Sequence, residues 1–107
     1  MNSFEQMESV IAQRRAEPQE GSYTCYLFDK GLDKILKKVG EECAETIIAA
    51  KNGDKKELVG EINDVFYHIM VMMNECGVTL QDVCGEMDVR AQKIGNLKKF
   101  HVSDHNT

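Results

Sequence analysis

The stretch Leu32–Cys76, LDKILKKVGEECAETIIAAKNGDKKELVGEINDVFYHIMVMMNEC, decides the fold. Leu32, Ile35, Leu36, Val39, Cys43, Ile47 and Ala50 recur at helical spacing, which predicts one apolar stripe on a helix from about Leu32 to Lys51. Asn52-Gly53 stops that helix. Asp54 and Glu57 have capping-box spacing and start a second long helix, from Lys55 to about Cys76. Its predicted buried face is Leu58, Ile62, Val65, Phe66, Ile69, Met72, Met73 and Cys76. A connection this short makes the two helices antiparallel neighbours.

Working outward, Ser3 to Glu17 reads as a first helix, with Ser3 and Gln6 at capping-box spacing and Phe4, Met7 and Ile11 on one face. Pro18 to Gly21 is the only clear linker. Ser22 caps a short helix from Tyr23 to Lys30 that Gly31 ends. Beyond Gly77, Thr79 and Asp82 cap a last helix with Leu80, Val83, Met87 and Ile94 facing inward, before Gly95. The expectation is an all-α bundle of four to five helices around a central antiparallel pair. One domain spans residues 1–95, followed by a polar, loose tail over 96–107. A chain of 107 residues buries one modest core, and helical chains of this size often complete it by pairing with a copy of themselves.

Composition narrows the function classes. A net charge of −5 argues against general nucleic-acid binding, which needs a basic face. No apolar run approaches the roughly 20 residues that span a bilayer. The N-terminus lacks a basic region followed by an apolar stretch, so it does not read as a signal peptide. Cys25, Cys43, Cys76 and Cys84 form no C-x-x-C pair and no zinc spacing, and are expected to be reduced structural thiols of a cytoplasmic protein. No P-loop, nucleophile elbow or dinucleotide fingerprint occurs.

The acids are the informative residues. Glu41, Glu42 and Glu45 form E-E-x-x-E on the first long helix and span an arc of about 100° at 100° per residue. Glu61 and Asp64 form E-x-x-D on the second, about 60° apart. Glu45 and Glu61 each lie eight residues from Gly53, so in an antiparallel hairpin they stand at similar heights. Carboxylates gathered at one spot repel each other unless a cation lies among them. Mg²⁺ suits such oxygens together with phosphate and water. Two solvated acidic helix faces are the plain alternative.

Lys30, Lys34, Lys37 and Lys38 lie within nine residues directly before these acids. They read either as a clamp for a polyphosphate or as i, i+4 ion-pair partners, Lys38 with Glu42 and Lys37 with Glu41. Gly40 inside a helix points to close helix packing or to room for a ligand beside Glu41. His68 reads as a packing or hydrogen-bonding residue, and Met70, Met72 and Met73 as core or interface.

Together, Ser22-Tyr23-Thr24, then Lys30-Gly31-x-x-Lys34-Ile35-x-Lys37-Lys38-x-Gly40-Glu41-Glu42-x-x-Glu45, then Glu61-x-x-Asp64-x-x-Tyr67-His68, closely resemble the phosphoribosyl-ATP pyrophosphohydrolase family over about residues 20 to 95. The two acidic motifs alone mark only the wider all-α, MazG-like nucleotide pyrophosphohydrolase superfamily. The resemblance implies a homodimer that hydrolyses phosphoribosyl-ATP to phosphoribosyl-AMP and pyrophosphate, the second step of histidine biosynthesis. It implies Mg²⁺, with Mn²⁺ as a substitute, on Glu42, Glu45, Glu61 and Asp64. Glu41 would be an added ligand or the group that orients the attacking water. Lys30, Lys34, Lys37 and Lys38 would hold substrate phosphate, Ser22, Tyr23 and Thr24 would line the substrate pocket, and Arg14 and Arg15 are weaker candidates for a phosphoribosyl contact. By length the chain resembles the stand-alone form of the enzyme. Two other readings compete: a house-cleaning pyrophosphohydrolase acting on ordinary nucleoside triphosphates, and a non-catalytic helical dimerisation module.

Overall fold

The computed structural model describes residues 1–93. Five helices follow in order: α1 (Ser3–Ala16), α2 (Tyr23–Lys30), α3 (Leu32–Asn52), α4 (Lys55–Cys76) and α5 (Leu80–Ala91), with no strand among the described residues. The α3–α4 hairpin is the spine. α1 packs on α4, α2 wedges between α1, α3 and α4, and α5 leans on α1. The predicted end of the domain near Ile94 and Gly95, and the tail over 96–107, lie outside the described residues.

Local chemistry sets the turns. Gly53 ends α3 at φ 76°, a left-handed conformation that costs glycine little and other residues more. Asp54 then accepts from the Lys56 and Glu57 backbone N–H groups at 3.0 and 3.2 Å and starts α4. Thr79 and Asp82 form the expected reciprocal box at α5. At α1 the box sits one residue earlier than predicted. Asn2 and Glu5, not Ser3 and Gln6, exchange backbone-to-side-chain bonds at 2.8 Å, because a carboxylate is the stronger acceptor for the cap N–H.

The core gathers Ile11 of α1, Leu27 of α2, Ile35 of α3 and Met70, Val71 and Met73 of α4. On α3 the buried positions are Ile35, Glu42 and Ala49. The stripe read from the sequence is rotated away from this face: Leu32, Leu36, Cys43, Ile47 and Ala50 are exposed, and Val39 is half-buried. Periodicity marks a face that avoids water, but α3 has two such faces and the single chain covers the other one. On α4, Leu58, Ile62, Val65, Ile69 and Met72 are half-buried and Met73 is buried, as expected. Phe66 and Cys76 are exposed, with the Phe66 ring edge-on to Phe4 at 5.4 Å. On α5, Leu80 and Val83 tuck inward, whereas Met87 faces solvent. All four cysteines are free. Only Cys25 is half-buried, so the reading of Cys43, Cys76 and Cys84 as packed thiols does not hold within one chain.

Asp54→Ala removes the acceptor for two backbone donors at the start of α4 and is expected to lower unfolding free energy by about 1 kcal/mol. Urea denaturation of the full chain, followed by circular dichroism, measures this; an unchanged midpoint would show that solvent caps α4 equally well.

Candidate functional site

The hairpin brings the acids together. Carboxylate oxygens of Glu42, Glu45 and Glu61 all lie within 4.8 Å of one another. Glu42 is buried at 7% exposure in the middle of the packed face of α3. Its Oε1, and Oε1 of Glu61, are buried with no hydrogen-bond partner. Leaving a buried carboxylate oxygen without a partner is costly, and more so beside two like charges. Burial, then the Glu45 carboxylate, with Asp64 and Glu42 adding to it, push the Glu61 carboxyl above its usual range. The donor set is all oxygen, anionic and under-coordinated, which fits a hard divalent cation. Asp64, one turn beyond Glu61, is exposed and stands outside the three-carboxylate set, though its charge reaches Glu61.

Lys38 borders this cluster. Its ammonium lies 3.4 Å from Glu41 and 3.5 Å from Glu42. Burial works against that charge, but Tyr23, Glu41 and Glu42 outweigh it and hold Lys38 above its ordinary value. The predicted pair of Lys38 with Glu42 is therefore present, together with Glu41, which the spacing had assigned to Lys37. Lys30 and Lys34 stand apart from the acids, their ammonium groups 5.8 and 5.9 Å from the centre of the Tyr26 ring. Lys37 is exposed.

The hydroxyls of Ser22, Tyr23 and Thr24 all have partners inside the chain. Ser22 Oγ accepts from the Cys25 N–H as the cap of α2. Thr24 is buried and bonds the Tyr67 hydroxyl. Tyr23 bonds His68 Nε2 at 2.9 Å. The direction of that bond follows from the far side of the ring. His68 Nδ1 lies 2.7 Å from the Asp64 carbonyl, which only accepts, so Nδ1 carries the proton. In the neutral ring Nε2 then accepts, and Tyr23 donates. Burial raises the Tyr23 hydroxyl pKa despite the opposing charge of Lys38. Ser22 and Tyr23 line an open cavity of about 500 Å³ together with Gln19, Gly21, Cys25, Tyr26 and Asp29.

Arg15 is engaged elsewhere. It pairs with Glu75 at 2.9 Å and lies over the Phe28 ring at 4.5 Å, which ties α1 to α4 and α2. Gly40 is not a close packing contact within the chain, since a Cβ there would meet nothing within 4 Å; the space beside it is open. His68 is buried and hydrogen-bonded through both ring nitrogens, as a packing or hydrogen-bonding residue should be. The sequence reading missed Thr46, whose hydroxyl lies 2.8 Å from the Glu42 carbonyl and 3.2 Å from the Glu61 carbonyl. A polar Thr on the border of the packed face was the only available signal.

Comparison with known proteins places the chain among relatives of one kind. The family described as phosphoribosyl-ATP pyrophosphohydrolase matches residues 4–91. A phosphoribosyl-ATP pyrophosphatase of Clostridium botulinum is 54% identical over 97 residues, covering 91% of this chain and 88% of the relative. One of Bacillus cereus is 50% identical over 96 residues, covering 90% of each. A histidine biosynthesis bifunctional protein HisIE of Lactococcus lactis is 51% identical over 98 residues, and the match spans 92% of this chain but 46% of that longer relative. No helix of the described residues is long and apolar enough to cross a membrane.

A raised carboxyl has a definite sign in stability. The folded chain holds the Glu61 proton more tightly than the unfolded chain does. That contribution is complete below the ordinary value of 4.5 and is lost as pH rises through the folded value. In EDTA, the thermal midpoint of wild type relative to Glu61→Gln is expected to fall as pH rises above that point. A difference that does not change with pH would mean that the acids do not repel one another.

Proposed function

The chain belongs to the phosphoribosyl-ATP pyrophosphohydrolase family, and from that membership we infer that it hydrolyses phosphoribosyl-ATP to phosphoribosyl-AMP and pyrophosphate in histidine biosynthesis. The observation that carries this reading to particular residues is the meeting of Glu42, Glu45 and Glu61, with two buried oxygens left without partners. Those three residues, with Asp64 at the rim, would hold Mg²⁺ or Mn²⁺, which when bound supplies positive charge against the phosphate oxygens.

The chain's own residues do the rest. Water attacks the α-phosphorus, and the bridging oxygen leaves with pyrophosphate. Glu41 is outside the convergent set, exposed, and held by Lys38, which suits it to orient the attacking water and accept its proton. Lys38 places a positive charge beside the acids, where charge builds on the leaving group. Lys37 adds to that field from solvent. Lys30 and Lys34, beside Tyr26, face a different part of the substrate. Tyr23, with its proton committed to His68, offers its oxygen as an acceptor at the pocket edge, while Ser22 and Thr24 fix the position of α2. Arg14 and Arg15 take no part in this reading.

A homodimer is part of the same proposal. Ile47 is 66% exposed, and Leu32, Leu36 and Val59 are exposed as well. Leu32, Leu36 and Ile47 lie along the stripe of α3 that the single chain leaves uncovered. The open space at Gly40, midway along the stripe, suits the close approach of a second helix.

Phosphoribosyl-ATP, ATP, dCTP and dUTP are to be compared at saturating Mg²⁺, with pyrophosphate release as the readout. Only the first is expected to turn over efficiently; preference for an ordinary nucleoside triphosphate would support the house-cleaning reading instead. Glu42→Gln and Glu45→Gln are each expected to lose about 100-fold or more, since removal of outer partners of a metal site already costs up to about that much. Retained activity in both would remove the proposed ligands. Separately, Ile47→Glu is expected to convert a dimer to a monomer in light scattering, and a dimeric variant would take α3 out of the interface.

A further inference from the structure

We infer that Thr46 is a positioning residue for the carboxylate site, its hydroxyl holding α3 and α4 at the separation that lets Glu42, Glu45 and Glu61 share one cation. This rests on the reading of those acids as a cation site. A Thr hydroxyl in a helix often donates back to the carbonyl four residues earlier, and the 2.8 Å approach to Glu42 is that bond. Back-bonding does not account for the second carbonyl. Glu61 belongs to the opposite helix, and its oxygen stands 3.2 Å from the same hydroxyl. One proton is shared between two acceptors, and both acceptors are backbone atoms of residues whose side chains converge. Thr46 is half-buried, so water does not readily replace it.

The magnitude at stake is small in distance and large in consequence. Sliding one helix by a single residue moves its side chains about 1.5 Å along the axis. Mg²⁺ demands near-ideal geometry at about 2.0–2.1 Å. A hairpin free to shift by even part of a residue would therefore spend much of its time with one carboxylate out of reach. At this level the buried α3 side chain is a carboxylate, Glu42, rather than an aliphatic group that would interlock with α4. The hydroxyl that bonds both carbonyls opposes such sliding directly.

The test is titration calorimetry with Mg²⁺ and Mn²⁺ on the full chain as wild type, Thr46→Val and Thr46→Ser, with helical circular dichroism and thermal melting on each. Val keeps the shape and removes the proton, so affinity is expected to fall about 10-fold, the lower end for loss of an outer partner of a metal site. Helicity should be unchanged. Ser keeps the hydroxyl and is expected to restore wild-type affinity, and pyrophosphate release by Thr46→Val should recover at high Mg²⁺. If wild type binds a cation with defined stoichiometry and Val binds it equally well, the positioning role is overturned while the cation site stands. If Ser binds as weakly as Val, the hydroxyl is not what matters and the role is likewise overturned. If wild type shows no defined site, the cation reading fails, and this role with it.

Discussion

Three negative groups brought within 4.8 Å of one another, one of them in the packed face of the central helix, form the constraint to which the rest of the structure answers. Ordinary packing would place an aliphatic side chain where Glu42 stands between Ile35 and Ala49. A carboxylate there is unfavourable by several kcal/mol if nothing compensates it. Lys38 compensates in part from one side, at 3.5 Å, and one oxygen each of Glu42 and Glu61 stays buried without a hydrogen-bond partner. Under the proposed function, this local departure from good packing is the cation site itself.

α2 makes the departure tolerable. It is only eight residues long, yet it carries the Tyr23–His68 and Thr24–Tyr67 bonds that tie it to α4 beside the acids. The rings of Tyr26, Tyr23 and Tyr67 lie side by side at about 6 Å, with Lys30 and Lys34 by Tyr26 and the charges of Lys38 and Glu42 acting on Tyr23. A rigid aromatic edge thus runs between the two groups of charged residues. A rigid edge fixes ligand orientation at low entropic cost.

Much of this was legible in the sequence. The hairpin could be read because its signals are local: Gly53 for a left-handed turn, Asp54 for a cap, and helical spacing on either side. The acids could be read because an eight-residue offset from one glycine puts Glu45 and Glu61 at the same height. The buried face of α4 could be read as well, but the rotation of α3 about its axis escaped. The apolar stripe of α3 was identified, but it lies about a quarter-turn from the face that meets α4, because a pattern of apolar residues does not say which partner covers it. Asp64 shared a motif with Glu61, yet the same uncertainty of rotation leaves it outside the tight set. Thr46 escaped because a single hydroxyl carries no periodic signal; its role arises only once two helices are side by side.

The hairpin has one more consequence, for the order of events in folding. Glu41 through Asp64 occupy a single uninterrupted segment, and the helices that carry them meet through one tight turn. Contacts between residues near in sequence close quickly and with little loss of chain entropy. The constellation of acids can therefore assemble early, before α1 and α5 have docked. A nascent chain would then already bring its acids together while most of its hydrophobic surface is still uncovered, so the repulsion among those like charges falls on the first-formed hairpin before the rest of the bundle can offset it.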